Sequence, residues 1–154
     1  MVLRIDAPRA IELVLPLLDD PDSTVRWNAC GCLHDFGDER AVASLIQVLQ
    51  GDPDPQVRNT AAYALGGIGS PAAIPALLAT LESDHELNEL GYSASACAET
   101  ALDNILGTDE TRIRLPDGLC KMQEHPPDVD LLKRLAHEMY EDWSKSHPEP
   151  GTCL

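Results

Sequence analysis

The sequence predicts an all-α fold, a right-handed α–α superhelix of about three helical pairs with a C-terminal capping helix. Three observations carry that prediction. The stretch Asp20-Pro21-Asp22-Ser23-Thr24-Val25-Arg26 returns 32 residues later as Asp52-Pro53-Asp54-Pro55-Gln56-Val57-Arg58. A fixed period of this size marks stacked repeats, because one such unit cannot bury its apolar face alone. The register also extends beyond the motif: Leu13 maps to Leu45, Leu17 to Leu49, Ala29 to Ala61, Leu33 to Leu65, Phe36 to Ile68 and Gly37 to Gly69. Finally, hydrophobic residues make up 44% of the chain and aromatics only 4%. Alanine and leucine must therefore fill the interior, which suits closely packed helices.

Residues 1–6 read as an irregular lead-in. From Ala7 onward Ala10, Leu13, Val14, Leu17 and Leu18 recur at three- and four-residue steps, the stripe of an amphipathic helix. Pro8 suits a first turn, whereas Pro16 inside the pattern predicts a bend or a split. Residues 19–22 form a breaker and cap cluster, after which Ser23 or Asp22 caps a second helix. Its expected inward positions are Val25, Ala29, Cys32, Leu33 and Phe36, and Gly37 ends it.

The scheme restarts with a helix over 40–50 (Val42, Leu45, Ile46, Leu49 inward), a turn over 51–55, and a helix over 56–68 (Val57, Ala61, Ala64, Leu65, Ile68 inward). Ser70-Pro71 opens a third unit, with Ile74, Leu77, Leu78 and Leu81 inward. There the offset grows to 37, since Ala98, Ala101, Leu102 and Ile105 match Ala61, Ala64, Leu65 and Ile68. Five residues are thus inserted within the acidic stretch 83–93. They form either an excursion or, as the preferred reading, a longer helix kinked near Gly91. Val57-Arg58 falls on Ala94-Ser95, so the third unit lacks the arginine.

After residue 107 the repeat stops. Residues 111–123 alternate around Pro116-Asp117-Gly118 and predict a small β-hairpin. A last helix over 129–146 turns Leu131, Leu132, Leu135, Met139 and Trp143 to the stack, since an open stack needs an atypical element over its final apolar face. The expected organisation is a solenoid over 1–107, a hairpin and capping helix over 108–146, and a disordered tail over 147–154.

With 11 Lys and Arg against 26 Asp and Glu, the net charge is −15 among 154 residues. Such a field repels phosphate backbones and anionic headgroups, so neither nucleic acid nor a membrane surface is expected as a ligand. Solubility alone is a sufficient reason for such a charge; as a ligand, a protein partner with a basic patch fits better. No N-terminal leader pattern and no apolar run of membrane length are present. The five cysteines suggest no disulfide framework, and Cys30, Cys32 and Cys97 read as small core residues in a reducing cytoplasm.

Two helices per unit, an Asp/Pro turn, Val-Arg, Ala-x-x-x-Leu and a closing Gly: this pattern resembles the HEAT-like repeat, most of all the short variety first noted in phycobilisome bilin lyases. It rests on Asp22, Val25, Arg26, Ala29, Leu33 and Gly37 with Asp54, Val57, Arg58, Ala61, Leu65 and Gly69, and covers about residues 7–107. The resemblance implies scaffolds, chaperones and enzyme subunits alike, and fold does not fix activity.

In such repeats the second helices line the concave side, which makes Trp27, Asn28, Gly31, Asn59, Thr60 and Tyr63 the candidate partner-binding residues. Exposed Trp and Tyr beside small residues and amides build interaction hot spots. Arg26 and Arg58 follow turn carboxylates and are expected to tie neighbouring units together. Cys30 and His34 share a helix face, but two ligands do not make a metal site. Neither a cofactor nor a catalytic group is expected. The sequence thus points to a non-enzymatic interaction or scaffold module, with a bilin-lyase-like chaperone or enzyme subunit as the rival.

Overall fold

In the computed structural model, residues 7–107 and 129–148 are described. Helix α1 (Ala7–Val14) gives way at Pro16 to a 3₁₀ turn (Leu15–Asp19), the split the proline predicts. Then come α2 (Ser23–Phe36), α3 (Val42–Gly51), α4 (Pro55–Ile68), α5 (Ile74–Ser83), α6 (Ala94–Leu106) and α7 (Val129–Ser146). Short 3₁₀ turns, Glu39–Ala41 and Pro71–Ala73, lead into α3 and α5. No β-strand occurs among the described residues. The hairpin expected over 111–123 and the tail from 149 lie outside them.

The helices pair as α1/α2, α3/α4 and α5/α6. The second helices pack side by side, α2 on α4 and α4 on α6, while α3 lies against α5 and the Leu15–Asp19 turn. Each second helix opens on a carboxylate or hydroxyl cap: Asp22 accepts from Thr24 N at 2.8 Å, Asp54 from Gln56 N at 2.9 Å and Ser93 from Ala96 N at 3.3 Å. Each cap satisfies an amide that the helix cannot. Each of these helices closes on a left-handed glycine, Gly37, Gly69 or Gly107. One continuous core runs through the pairs, with Leu33, Leu45, Leu65, Leu77 and Leu102 fully buried. Helix α7 lies on α5, α6 and the Pro71–Ala73 turn, burying Leu132 and Ala136 and pairing Lys133 with Glu82 at 2.9 Å.

Several expected faces are corrected. In α1 Ile11 is buried, and Leu13, two residues on and so turned away from it, is exposed; past Pro16 the 3₁₀ winding buries Leu18 and leaves Leu17 exposed. On α2, Cys30 lies in the core as expected, whereas Cys32 and Phe36, also expected there, are exposed. On α7, Leu131 is exposed and Ala136 is buried instead. At the end of α7, His147 is held by Trp143, whose carbonyl accepts from the His147 amide at 3.0 Å, and the two rings stack at 4.7 Å.

The longer kinked helix expected over 83–93 is not formed: α5 ends at Ser83 and α6 begins at Ala94. The insertion is a tight turn bridged at Leu87 and Ser93. Asn88 N donates to Tyr92 O at 2.8 Å and Gly91 N to Asn88 O at 3.0 Å, with Gly91 at φ +81°. That is a three-residue hairpin loop with a left-handed glycine in third place.

Candidate functional site

Arg26 sits in the first turn of α2 and reaches forward into the second pair. Its Nε and Nη2 donate to Asp52 at 2.6 and 2.9 Å, while Nη1 reaches back to Asp20 O at 2.9 Å. Arg58 repeats the arrangement one unit on, with Nε to Asp84 Oδ2 at 2.6 Å and Nη1 to Asp52 O at 2.8 Å. Asp20, Asp52 and Asp84 stand 32 residues apart, so the carboxylate ladder keeps the period through the third unit and the insertion falls after it. Burial works against ionisation of Asp52, but the hydrogen bonds from Arg26 and the Asp54 amide outweigh it and hold its pKa below the ordinary value.

The third unit ends the ladder. Ser95 stands where the arginine would, and its amide donates to Asp84 O at 2.9 Å, the carbonyl position that an arginine serves in the first two units. Its hydroxyl donates to Leu81 O at 3.1 Å. The local carbonyl stays satisfied and the forward reach is gone.

Beside the first joint lie most of the candidate binding residues. Trp27 is 41% exposed on α2. Asn28 is exposed and donates to Thr24 O at 2.8 Å, which leaves its amide oxygen to solvent. Gly31 borders open space, since a Cβ built there meets nothing within 4 Å. On α4, Thr60 donates to Gln56 O at 2.9 Å, and Tyr63 is half-buried with its ring stacked on His34 at 4.4 Å and 15°. The His34 ring also lies over Gly67, where a Cβ would come within 2.6 Å of Nε2.

Asn59 does not belong to this surface. It is only 4% exposed, and its Nδ2 donates to Tyr92 O at 2.9 Å beneath the 84–93 hairpin, while Oδ1 has no partner. Position 27 escapes the same fate because the equivalent connection ahead of α4 is a short turn. The insertion was visible in the sequence; which inner-helix position it would cover was not. The partnership of His34 with Tyr63 had no sequence signal beyond their placement on adjacent second helices.

The surface carries aromatic, amide and hydroxyl groups, with open space at Gly31. Among the described residues no group of three or more His, Cys, Asp or Glu is placed to hold a metal ion. Burial pushes the Cys30 thiol up to about 12, so it is protonated at neutral pH and unsuited to act as a ligand or nucleophile. Among the described residues no helix is long and apolar enough to cross a membrane. A family model described as HEAT repeats matches residues 11–90. Such repeats commonly mediate protein–protein interaction or scaffolding. No curated protein gives a significant match to the chain.

Proposed function

The chain belongs to the HEAT repeat family, and we propose that it is a non-enzymatic interaction module holding a segment of a partner protein on the concave side, along α2 and α4. The observation that carries this reading is the exposed Trp27, one helical turn before Gly31, whose surface is open. A chain so poor in aromatics has placed one of its two indoles where the core does not use it, and on α4 the Tyr63 ring is stacked on His34. A fixed aromatic loses little freedom on binding, which favours affinity. The −15 charge supports a basic segment as the occupant and a fast, salt-sensitive encounter.

The test uses the native partner, isolated with the intact chain and purified. Trp27→Ala should weaken binding roughly 30-fold or more, in the range of an interface hot spot. Gly31→Arg, which adds bulk where a side chain meets no neighbour, should weaken it too. Unchanged affinity in both variants would sink the reading. An absorbance change on mixing the chain with a linear tetrapyrrole would instead favour the bilin-lyase-like chaperone.

A further inference from the structure

We propose that the 84–93 hairpin is a second docking element, presenting Leu87 and Leu90 as an apolar knuckle to a partner protein whose apolar cleft is rimmed by lysine and arginine. The proposal does not depend on the α2/α4 surface. Between α3 and α4 the chain turns through Asp52, Pro53 and Asp54 alone, and those residues already supply the arginine partner and the helix cap. Asp84 and Ser93 supply the same two services in the third unit. The residues added between them are not needed for the connection.

What they form is stiff. The Asn88 carboxamide oxygen accepts from the amides of Leu90 and Tyr92 at 3.0 and 2.9 Å, and its Nδ2 donates to Gln56 Oε1 at 2.6 Å. Asn59 holds Tyr92 O from below, and Glu86 accepts from Arg58 Nη2 at 2.5 Å. These polar anchors tie the hairpin to α4, while Leu87 and Leu90 stand 63% and 65% exposed, the most open large apolar side chains among the described residues. A single exposed leucine means little. Two on one braced turn are different, because turns normally carry small polar residues and a preformed loop avoids much of the ordering cost of binding.

Charge selects the occupant. Glu89 is exposed beside the leucines, Glu86 is exposed while sharing Arg58 with Asp84, and residues 84–93 contain no lysine or arginine. On a chain of net charge −15 this repels a second copy and an anionic membrane, and it complements a cleft with a cationic rim.

The experiment places a benzoylphenylalanine photocrosslinker at position 90 of the full chain, and separately at position 27, in lysate of the native cells. The adduct formed through position 90 should map to a partner segment flanked by Lys and Arg. That partner, once purified, should bind the Leu87→Ser/Leu90→Ser chain roughly 100-fold or more weakly, about tenfold per leucine. Its association rate with the unaltered chain should fall as salt rises. Both leucines are exposed, so the double variant should keep its helical circular dichroism. Asn88→Ala, which frees the turn and leaves both leucines, should weaken binding less. Adducts through position 90 only with a second copy or with lipid, no adduct, or equal affinity for the double variant would overturn the proposal. The position 27 adduct reports independently on the α2/α4 surface.

Discussion

The two joints between repeat units use the same arginine and differ in what covers it. At the α2/α4 joint Arg26 grips Asp52 with two short bonds, Asp52 is almost sealed with 4% of its side chain exposed, and the adjoining Trp27 stands open. At the α4/α6 joint Arg58 holds Asp84 less evenly, at 2.6 and 3.3 Å, shares Nη2 with the exposed Glu86, and lies beside an Asn59 sealed by the hairpin. Trp27 and Asn59 occupy one repeat position. The repeat therefore fixes which residues bind unit to unit, while the connection following Asp52 or Asp84 decides whether the neighbouring position faces solvent.

The sharpest break of this comparison is to remove each arginine. Arg26→Ala leaves Asp52 buried with only the Asp54 amide to hold it and should cost about 3 kcal/mol, the low end for a broken buried ion pair. Arg58→Ala should cost less, about 2 kcal/mol, because Asp84 is 17% exposed and water can replace the guanidinium. Urea denaturation of both variants measures the difference, and equal losses would mean the joints are energetically alike. Acid separates them further. The Asp52 pKa is depressed in the folded chain, so the stability it contributes is present above the ordinary carboxylate range and is lost as pH falls through the lowered value. Arg26→Ala should flatten that acid limb.

The next effect in size concerns the two glycines by which the second helices approach. At the second joint a Cβ on Gly66 would lie 2.7 Å from the Cα of Ala101, a backbone atom that cannot step aside. Gly66→Ala should cost about 2 kcal/mol, the overpacking penalty exceeding the roughly 1 kcal/mol that alanine gains in a helix. At the first joint Gly67→Ala would collide with the His34 ring. That ring can move, so the loss should be smaller and should vanish in the His34→Ala/Gly67→Ala double variant. Thermal unfolding of the four chains would show it. Failure of the double variant to recover would place the strain somewhere other than His34.

Much of this frame was legible beforehand. The Asp-to-Arg echo gave the pairing of helices and both second helices of the matching units, since Val57, Ala61 and Leu65 are buried where their period puts them. Three kinds of feature were not legible. Pro16 predicted a split but not the changed winding that leaves Leu17 exposed, and a stripe through Leu13 missed that Ile11 takes the buried side of α1. The alternation of Cys30 and Cys32 could not say which thiol is buried, because two small residues satisfy a helical stripe about equally well. The 83–93 stretch gave its length but not its form: Asn88 closes the turn through two side-chain bonds and ties it to α4 through a third, and a single asparagine carries no periodicity. For the same reason Asn59, grouped with Trp27 by the repeat, could not be seen to lie beneath it.

The end of the ladder offers the smallest effect and the cleanest sign. At the 37-residue offset Glu99 on α6 takes the place of Ala62, which is fully buried on α4, and of Cys30 on α2. Where the first two units put a small neutral side chain, the third puts a carboxylate. Partial burial and, behind it, the charge of Asp103 raise the Glu99 pKa. A group raised in the folded chain contributes stability below its unfolded pKa and loses it as pH rises through the folded value, so at neutral pH the Glu99 charge opposes folding. Glu99→Gln should therefore raise stability at pH 7 by a few tenths of a kcal/mol. The gain should disappear once acid has protonated the carboxyl in both states. Thermal midpoints of the two chains across an acid-to-neutral pH series read the sign directly. A midpoint difference that does not change with pH would show that position 99 tolerates its charge as readily as its neighbours tolerate alanine and cysteine.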